Sequence, residues 1–473
     1  MQIPYQRRLP LRWQSPGEWV SLGIILPGTQ KLSMMIIKAP ENSVKKVVVI
    51  GGGFAGINLV KKLSKNKHYH ITLADKNNYN VFQPLVYQVA TGFLELSSIC
   101  YPYRKLLRKR GRIHFQLGEL IKIDPLSHTC YLNTTTLKYD YLVFAAGTNV
   151  NYFGNENIKR NAIAMKTIDD ATNMRNTLLQ TLEQACLAQD PQERKKLLTI
   201  VVAGGGPTGV EVAGILAELR KDILPKDYPE LANEKAALFI IDGGPALLAE
   251  MSAQSQKDAY KALSKLGVKI ILNTTVTDYY NDKVVLSNGD IIETKSLIWA
   301  AGVIAKKFEG VPPASIGKGQ RMLTDQYNKV QGLEDVYAIG DISIQKTDAA
   351  YPNGHPQLAQ PAIQQGSTLA VNLIALSNGK PMKAFKYVDK GTMAIIGSRK
   401  AVCDLFTSKF HVNGFPALLI WLFIHLVQLI NYRNKLGALL NWSIAYFTRD
   451  PSLRMIIRPE TTASPERAVL KQE

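Results

Sequence analysis

Two glycine-rich turns, about 150 residues apart, constrain this chain most. Residues 47–58 read VVVIGGGFAGIN and residues 199–212 read TIVVAGGGPTGVEV. In each, a short apolar run rich in valine precedes glycines spaced GxGxxG, and a helix-forming segment follows, which is typical of a buried parallel strand that turns into a helix. Such a turn lets the backbone approach a pyrophosphate and lets helix and strand pack closely. The sequence therefore predicts two phosphate-binding βαβ units.

Residues of both turns are candidate ligands of a dinucleotide. A pyrophosphate is expected at the positive end of the helix that opens near Phe54. The candidates are Gly51, Gly53, Phe54, Ala55 and Gly56 in the first turn, and Gly204, Gly206 and Gly209 in the second.

An acidic residue closes the strand after each helix. The pattern predicts strands over residues 70–74, ending at Asp75, and 237–241, ending at Asp242. A carboxylate there accepts hydrogen bonds from ribose hydroxyls, a better explanation of Asp75 than a solvated turn residue. The charge of Asp242 favours NADH over NADPH because it repels a 2′-phosphate. The longer spacing in the second unit predicts that residues 220–234 form an inserted surface loop.

Each half has a later strand that ends in small residues. Residues 141–148 read YLVFAAGT, residues 296–303 read SLIWAAGV, and residues 335–341 read DVYAIGD. Close packing explains any one of these turns, but their matched positions favour a flat ligand. Two dinucleotides in one oxidoreductase most simply mean a resident flavin and an exchanging nicotinamide. The candidate ligands here are Ala146, Gly147, Ala301, Gly302, Gly340 and Asp341, the last placed to bind the sugar-alcohol chain of a flavin.

Composition limits the classes of ligand and partner that the chain can bind. The 473 residues include 57 basic and 38 acidic ones, a net charge of +19 that favours nucleic acid, anionic lipid or a phosphorylated cofactor. The four cysteines lie far apart, so no CxxC pair predicts a dithiol or a metal site. The longest apolar run, residues 415–430, is too short and too interrupted to cross a bilayer.

Residues 1–43 are expected to be an N-terminal extension that is disordered or not translated. A mitochondrial transit peptide is one interpretation, because the arm is basic. A translation start at Met34 or Met35 is preferred, since proline and glycine at residues 16–17 and 27–28 interrupt an amphipathic helix.

Three more segments resemble one family. They are NNYNVFQPLVYQVATG (residues 77–92), AQPAIQQG (359–366) and NYRNKLGALLNWSIAYF (431–447). Together with the glycine units, over residues 44–458, they resemble flavoprotein disulfide reductases with two dinucleotide-binding domains, and among these the type II NADH dehydrogenases. These are NADH:quinone oxidoreductases that do not pump protons. The chain departs from the pattern in lacking a cysteine pair, and in having Asp242 where the family commonly has Glu.

The resemblance implies an α/β fold of two Rossmann-like domains, the second inserted in the first, plus a C-terminal membrane-associating α+β region. The implied FAD-binding domain comprises residues 44–160 and 325–378, the NADH-binding domain residues 161–324, and the membrane-anchoring region residues 379–473. It implies non-covalent FAD, NADH as the substrate, and two electrons passed to ubiquinone or menaquinone at the entry to a respiratory chain. Lys76 and Gln83 join the flavin ligands on the same ground.

Four residues are candidate catalytic groups. By resemblance Glu211 lies near the flavin and can relay protons to the quinone; stabilisation of the helix N-terminus is an equally open alternative. Gln360 and Gln364 share a helix face that, by resemblance, approaches the flavin and the quinone. Gln360 also counts among the flavin ligands. Lys400 is a weaker candidate at the quinone end, because a lone loop lysine is more often solvated.

The C-terminus predicts peripheral membrane attachment. Residues 416–432 are apolar except for a stripe of His425, Gln428 and Tyr432, and basic and aromatic residues follow. Such an amphipathic pair suits the plane of an anionic membrane, and a buried hairpin or a dimer interface is the alternative. The expected location is the cytoplasmic face of a bacterial inner membrane, or alternatively the mitochondrial inner membrane.

The expected partners are a quinone, an anionic membrane surface and a second copy of the chain. Nucleic acid is not expected, since no recognition helix or zinc pattern occurs. One competing function is a soluble NADH-dependent ferredoxin or rubredoxin reductase, which should lack AQPAIQQG and the apolar C-terminus. Another is a redox-sensing flavoprotein that acts as a binding module. A sulfide:quinone oxidoreductase fits poorly, because it needs suitably placed cysteines.

Overall fold

The structure, a computed structural model, describes residues 44–108, 111–234, 237–406, 410–448 and 453–457. The predicted N-terminal extension, residues 1–43, lies outside the described residues. The strands are β1 Lys45–Ile50, β2 Tyr69–Asp75, β3 Tyr79–Val81, β4 Cys100–Pro102, β5 Ile113–Leu117, β6 Leu120–Asp124, β7 Thr129–Leu132, β8 Thr136–Lys138, β9 Tyr141–Phe144, β10 Asn149–Val150, β11 Ile163–Ala164, β12 Ile200–Ala203, β13 Leu238–Ile241, β14 Lys269–Ile271, β15 Val276–Tyr280, β16 Lys283–Leu286, β17 Ile291–Glu293, β18 Ser296–Trp299, β19 Val303–Ile304, β20 Met322–Thr324, β21 Val336–Ala338, β22 Ser343–Gln345, β23 Gly391–Ile396, β24 Lys400–Leu405 and β25 Phe410–Asn413.

The helices lie between these strands and at the end of the described chain. They are α1 Phe54–Leu63, α2 Val86–Ala90, α3 Leu96–Ile99, α4 Tyr103–Leu107, α5 Glu156–Asn161, α6 Ile168–Leu187, α7 Pro191–Leu198, α8 Pro207–Asp222, α9 Leu224–Asp227, α10 Ala253–Lys265, α11 Ala359–Ser377, α12 Gly414–Gln428 and α13 Tyr432–Thr448.

The two predicted βαβ units have the same sheet arrangement. The first sheet is parallel in the order β21-β9-β1-β2-β5, and the second is parallel in the order β11-β18-β12-β13-β14. β1 and β12, which lead into the glycine turns, occupy the central position of each sheet. Their valines are buried on both faces, as the continuous apolar runs predict.

The chain returns to the first sheet after it has completed the second. β21 follows the whole second unit in sequence and pairs in parallel with β9. The prediction that the second Rossmann-like domain is inserted in the first is therefore confirmed. The last part of the chain adds the antiparallel sheet β23-β24-β25 and then helices α12 and α13, which is the predicted α+β region.

The predicted surface loop over residues 220–234 was wrong. Helix α8 continues to Asp222, α9 follows at once, and a single helical turn covers Pro229–Leu231. Leu224 and Leu231 are buried in a cluster with Leu197 and Leu198. Both prolines of the segment stand at the start of a helical turn, where the missing N–H costs nothing. The insertion thus forms part of the hydrophobic core of the second unit.

Helices α12 and α13 bury one side and expose a large apolar surface. Trp421 and Ala438 are fully buried, whereas Phe423, Tyr432 and Leu440 are 68%, 87% and 54% exposed. Among the described helices, none is long and apolar enough to cross a bilayer.

Candidate functional site

The first glycine turn packs tightly against the protein at two of its glycines and is open at the third. Gly51 has φ of 100°, and a Cβ there would overlap the carbonyl group of Ala145. Gly56 packs against the carbonyl oxygen of Gly51. Gly53 differs, because its backbone is extended and a Cβ would meet nothing within 4 Å. The turn has the form of a cradle whose open position is Gly53, as a pyrophosphate site requires.

The second turn repeats this geometry. Gly204 has φ of 112° and abuts the carbonyl group of Ala300, and Gly209 packs against the carbonyl oxygen of Gly204. A Cβ at Gly206 would again meet nothing within 4 Å. Both predicted cradles therefore exist, and each lies at the carboxyl end of a central strand, the edge where ligands of such sheets bind.

The two predicted ribose acids are held by their own turns. Asp75 Oδ2 accepts a hydrogen bond from the amide of Gly52 at 2.7 Å, and Asp242 Oδ2 accepts one from the amide of Gly205 at 2.6 Å. The second oxygen of each carboxylate binds the amide two residues further on, at 2.8 and 2.7 Å. Each oxygen keeps a lone pair for a ribose hydroxyl. Burial raises the pKa of Asp75.

Gly340 joins three segments that the sequence analysis treated separately. Its φ is 75°, and its amide donates to Gln365 Oε1 at 2.6 Å. A Cβ there would lie 3.1 Å from that of Ala55 and 3.5 Å from that of Ala362. The AIGD turn is therefore sandwiched between α1 of the first cradle and α11 of the AQPAIQQG segment. Gln365, quoted only as part of the motif, makes this junction.

Asp341 is half-buried near two cations. Burial raises its pKa, and the charges of Lys166 and Arg321 oppose this. Its carboxylate accepts no hydrogen bond from the described residues. Lys166 Nζ donates to Thr148 Oγ1 at 3.1 Å, and burial lowers the pKa of Lys166. Sequence reasoning missed Lys166, which is half-buried, because no local pattern marks a lysine that contacts a residue of another segment.

Glu211 lies in the second turn of α8 and is almost fully buried. Burial raises its pKa well above the ordinary value, and a single long hydrogen bond from the amide of Ile395, at 3.5 Å, opposes this. Burial of Tyr87 raises the pKa of its hydroxyl, and the nearby carboxyl group of Glu211, when ionised, raises it further. The residue is the fifth of the helix, past the turn where helix-dipole stabilisation is strongest. A buried neutral carboxyl group is the form that can act as a proton donor.

A short polar connection joins the neighbourhood of Glu211 to α13. Gln88 Nε2 donates to the hydroxyl of Tyr87 at 3.2 Å, and Trp442 Nε1 donates to Gln88 Oε1 at 2.7 Å. All three side chains lie in motifs that carried the family resemblance. Their individual roles were not predicted, since they depend on contacts over more than 300 residues of sequence.

The two glutamines of α11 have different environments. Gln364 Nε2 donates to the carbonyl oxygen of Val388 at 2.9 Å, and Gln364 Oε1 accepts from the amide of Val388 at 3.1 Å. Both ends of that amide are thus used to hold the segment before β23. Gln360, four residues earlier, is half-buried and makes no hydrogen bond to the described residues. Its amide is available to a ligand.

Lys400 opens β24 with an exposed side chain. The hairpin turn beside it binds α8 through a hydrogen bond of 2.6 Å from the amide of Ser398 to Glu218. Glu218 is two helical turns beyond Glu211. Lys400 makes no ion pair or hydrogen bond among the described residues. This agrees with the interpretation that its side chain is solvated.

The predicted polar stripe of the C-terminal helix does not form an outer face. His425 stacks on Trp421 with ring centroids 3.9 Å apart and meets the edge of Phe82 at 6.1 Å. Phe82 contacts Phe54 at the start of α1, at 5.6 Å. The helix ends before Tyr432, which opens α13 instead. Burial lowers the pKa of His425 to about 4, so the ring is neutral and belongs to an aromatic row that leads to the first cradle.

The remaining predicted ligands lie at the same sheet edges. Ala146 and Gly147 follow β9, which pairs with β1, and Ala301 and Gly302 follow β18, which pairs with β12. Carboxyl ends of neighbouring parallel strands meet at one edge, so each pair lies beside its own glycine turn. Two further predicted flavin ligands have exposed side chains. Lys76 directly follows Asp75, and Gln83 begins the helical turn Gln83–Leu85.

Comparison with known proteins identifies the family. Residues 45–366 match the family model for pyridine nucleotide-disulphide oxidoreductases, and residues 390–450 match that for the NDH2 C-terminal domain. A type II NADH:quinone oxidoreductase of Mycobacterium tuberculosis is 36% identical over 423 residues, covering 85% of this chain and 88% of the relative. The chain belongs to the type II NADH:quinone oxidoreductases.

Other members of the type II NADH:quinone oxidoreductases are more distant. A mitochondrial external NADH-ubiquinone oxidoreductase of Saccharomyces cerevisiae is 29% identical over 459 residues, covering 86% of this chain and 82% of the relative. The fold is similar to that of NDH2 from Plasmodium falciparum in complex with NADH, with a TM-score of 0.79 at 22% identity, over 88% of this chain and all of that chain.

This type II NADH:quinone oxidoreductase has no disulfide among its described residues. Its four cysteines, Cys100, Cys130, Cys186 and Cys403, are free thiols. Burial raises the pKa of Cys100, Cys130 and Cys403 to about 12, which keeps these thiols protonated and unreactive. A dithiol relay, as the name of the wider family suggests, is therefore not built into this part of the chain.

Proposed function

We propose that the first unit of this NADH:quinone oxidoreductase holds FAD without a covalent bond, and that the second unit takes NADH. The observation that carries the proposal is that α8 links the second cradle to Glu211, a buried acid that faces β23 of the C-terminal region. One helix thus connects the nucleotide site with the region predicted to meet the membrane.

The first cradle suits a flavin dinucleotide. The open position at Gly53 leaves room for a pyrophosphate, and Asp75 keeps lone pairs for ribose hydroxyls. Asp341 is a half-buried acceptor without a hydrogen bond from the described residues, and a sugar-alcohol chain would supply one. When bound, FAD would accept a hydride from NADH and pass two electrons to the quinone.

The second cradle suits NADH. Gly206 offers the same open position, and Asp242 carries a charge that a 2′-phosphate would meet at close range. The carboxylate is fixed by two amides and cannot easily turn away. Discrimination against NADPH follows from this geometry, because the repulsion would not be relieved by movement of the acid.

Proton supply to the quinone is the role proposed for Glu211. Quinone reduction consumes two protons for every two electrons, and one of them comes with the hydride of NADH. Burial raises the pKa of Glu211 and so favours its protonated form, which can give up the second proton and regain it through its polar neighbours Tyr87 and Gln88. Gln360 is proposed to donate a hydrogen bond to a quinone carbonyl, while Gln364 positions Val388.

The apolar faces of α12 and α13 are proposed to lie on an anionic membrane. Their exposed aromatic and aliphatic side chains are accompanied by Arg433 and Lys435. Such a surface binds in the plane of the lipid head groups. Attachment to the cytoplasmic face of a bacterial inner membrane, or alternatively to the mitochondrial inner membrane, stays a prediction. That the chain forms a homodimer also stays a prediction. Light scattering, which measures the mass of the particle in solution, would test it.

The test of the proposed function is turnover by the purified full chain. We expect extraction to release FAD in a molar amount equal to the chain, and NADH, but not NADPH at the same concentration, to be oxidised rapidly with a short-chain quinone analogue. Loss of quinone reduction in a protein that keeps its FAD would contradict the proposal. So would a ferredoxin-type acceptor that outcompetes the quinone.

A further inference from the structure

An apolar cavity of about 120 Å³ lies in the second unit and shares no residue with either glycine turn. It is bordered by α6, α7, α8 and the α9 segment, together with the end of α2. The side chains that give it its apolar character include Leu178, Leu182, Leu197, Leu216, Leu219 and Leu224. An apolar cavity of about 150 Å³ takes up benzene, so this smaller one holds only part of an alkyl chain, and the rest of the chain lies where the cavity opens to solvent.

Three arginines line the same cavity, and none of its described lining residues is acidic. Two of them are bound to the protein: Arg220 donates to the carbonyl oxygen of Leu266 at 3.2 Å, and Arg454 pairs with Asp227 at 2.6 Å. Arg175 is different, because its Nε is buried without a hydrogen-bond partner. Arg175 as a whole is half-buried, but a buried N–H donor without an acceptor is rare in folded proteins, and an anion would satisfy it.

We propose that this cavity binds a medium-chain fatty acid, with the carboxylate on Arg175 and the alkyl chain among the leucines. Arginine and carboxylate match in charge and in planar geometry. Apolar cavities that remain empty destabilise a fold, which gives the alkyl chain a reason to enter. The site lies outside the proposed electron path, so it does not depend on the assignment of FAD or quinone.

The cavity borders two of the elements near Glu211. Leu216 and Leu219 line it from α8, the helix of Glu211, and Ala90 and Gly92 line it from the end of α2, which carries Tyr87. A bound fatty acid would therefore contact α8 and α2, two elements that pack near Glu211.

The test is competition binding to the purified holoprotein with dansyl-labelled undecanoate as the probe. Dodecanoate should displace the probe, whereas dodecanol and dodecyltrimethylammonium, which have the same tail without the anionic head, should not. Arg175→Gln should weaken dodecanoate binding by roughly ten- to a hundredfold, the range for a charge-assisted hydrogen bond, and Arg175→Lys should recover part of it. Leu182→Trp, which fills the cavity, should abolish binding, and Leu182→Met should not.

Melting temperature and FAD content show whether each variant is folded. Unchanged binding in both Arg175→Gln and Leu182→Trp would overturn the proposal. Equal displacement by the cationic analogue would do the same, because it would indicate unspecific surfactant uptake. If only a chain that ends at Ile457 binds the probe, the occupant of the cavity is the chain's own C-terminal segment, and the fatty-acid site is refuted.

Discussion

The backbone amide of Gly205 holds the carboxylate of Asp242 at 2.6 Å, with the second carboxylate oxygen bound to the amide of Gly244. The carboxylate of Asp242, which is proposed to bind the ribose hydroxyls, is thus held in place before a nucleotide binds. Gly52 and Asp75 show the same relationship at 2.7 Å. Preorganisation of this kind saves the ordering cost on binding, which makes the charge at Asp242 an effective determinant of specificity.

Replacing Asp242 by alanine should weaken the use of NADH and reduce the preference for it. We expect kcat/KM for NADH to fall by roughly ten- to a hundredfold, because a charged acceptor of ribose hydroxyls is lost. The value for NADPH should fall less or rise, since the repulsion is also lost. Steady-state kinetics with both nucleotides measure this, and Asp290→Ala, an exposed acid of the same unit, should change neither value.

Glu211→Gln should separate proton supply from flavin reduction. Turnover with quinone should fall by roughly a hundredfold, the scale of a general acid, while anaerobic flavin reduction by NADH stays near the wild-type rate. The raised pKa also predicts the pH profile: wild-type quinone turnover declines as pH rises through the folded-state pKa, and the variant loses that step.

The same substitution should raise thermal stability at neutral pH. A carboxyl group whose pKa is raised on folding stabilises the fold fully below its unfolded pKa, and loses that contribution as pH rises toward the folded pKa. Glutamine does not titrate and escapes this loss. Glu218→Gln, on the same helix but bonded to Ser398, is the control and should leave the pH profile of quinone turnover intact. Full quinone turnover by folded, FAD-loaded Glu211→Gln protein would refute the relay.

The glycine turns and their acids were predictable because each depends on local backbone geometry. The glycine spacing and the valine runs are visible in the sequence, and the positive φ of Gly51 and Gly204 explains why glycine is needed there. The positions of Asp75 and Asp242, the acids proposed to bind ribose, follow from the length of one βαβ unit. The repeat then made the fold class predictable, including the insertion of one domain in the other.

Residues whose roles depend on distant contacts were not predictable. Lys166 is half-buried against Thr148 and near Asp341, which come from other segments, and His425 packs inward against the edge of Phe82. The helical packing of residues 220–234 was missed for the same reason. Its prolines and charges suggest a loop, while its apolar side chains find a cluster formed by α6 and α7.

A charged junction between α10 and the C-terminal sheet predicts pH-dependent stability. His411 lies between Asp404 and Asp258, with each ring nitrogen 3.0 Å from a carboxylate oxygen. Burial lowers the pKa of His411, but the hydrogen bonds to both acids outweigh this and raise it. The stabilisation is therefore complete below the unfolded pKa of about 6.5 and is lost as pH rises through the raised value.

His411→Ala should destabilise the protein by about 2 kcal/mol under mildly acidic conditions, and by less once the wild-type ring is neutral. Melting temperatures across a pH series measure the difference. His70→Ala, on an exposed position of β2, is the matched control and should shift the melting temperature little at any pH. A His411→Ala deficit that stayed constant with pH would show that packing, not charge, holds the junction.

Membrane binding should depend on the exposed apolar face of α12 and α13. Phe423→Ser combined with Leu440→Ser should reduce the fraction bound to anionic vesicles by roughly tenfold or more, because each side chain buries a large apolar area in the lipid. Leu126→Ser with Leu187→Ser removes two side chains that are 97% and 78% exposed on the nucleotide-binding units. This control should bind normally, and equal vesicle binding by both double variants would contradict the attachment.

The central claim is that two cradles of nearly identical form hold different nucleotides. Gly53 and Gly206 allow a matched test, because at each the backbone is extended and a Cβ would meet no protein atom within 4 Å. A valine at either position should fold normally and obstruct only the ligand of its own unit. Flavin content and NADH-dependent flavin reduction, measured on both variants, decide the claim. The account predicts that Gly53→Val loses FAD and that Gly206→Val keeps FAD but is no longer reduced by NADH; FAD loss confined to Gly206→Val would contradict it.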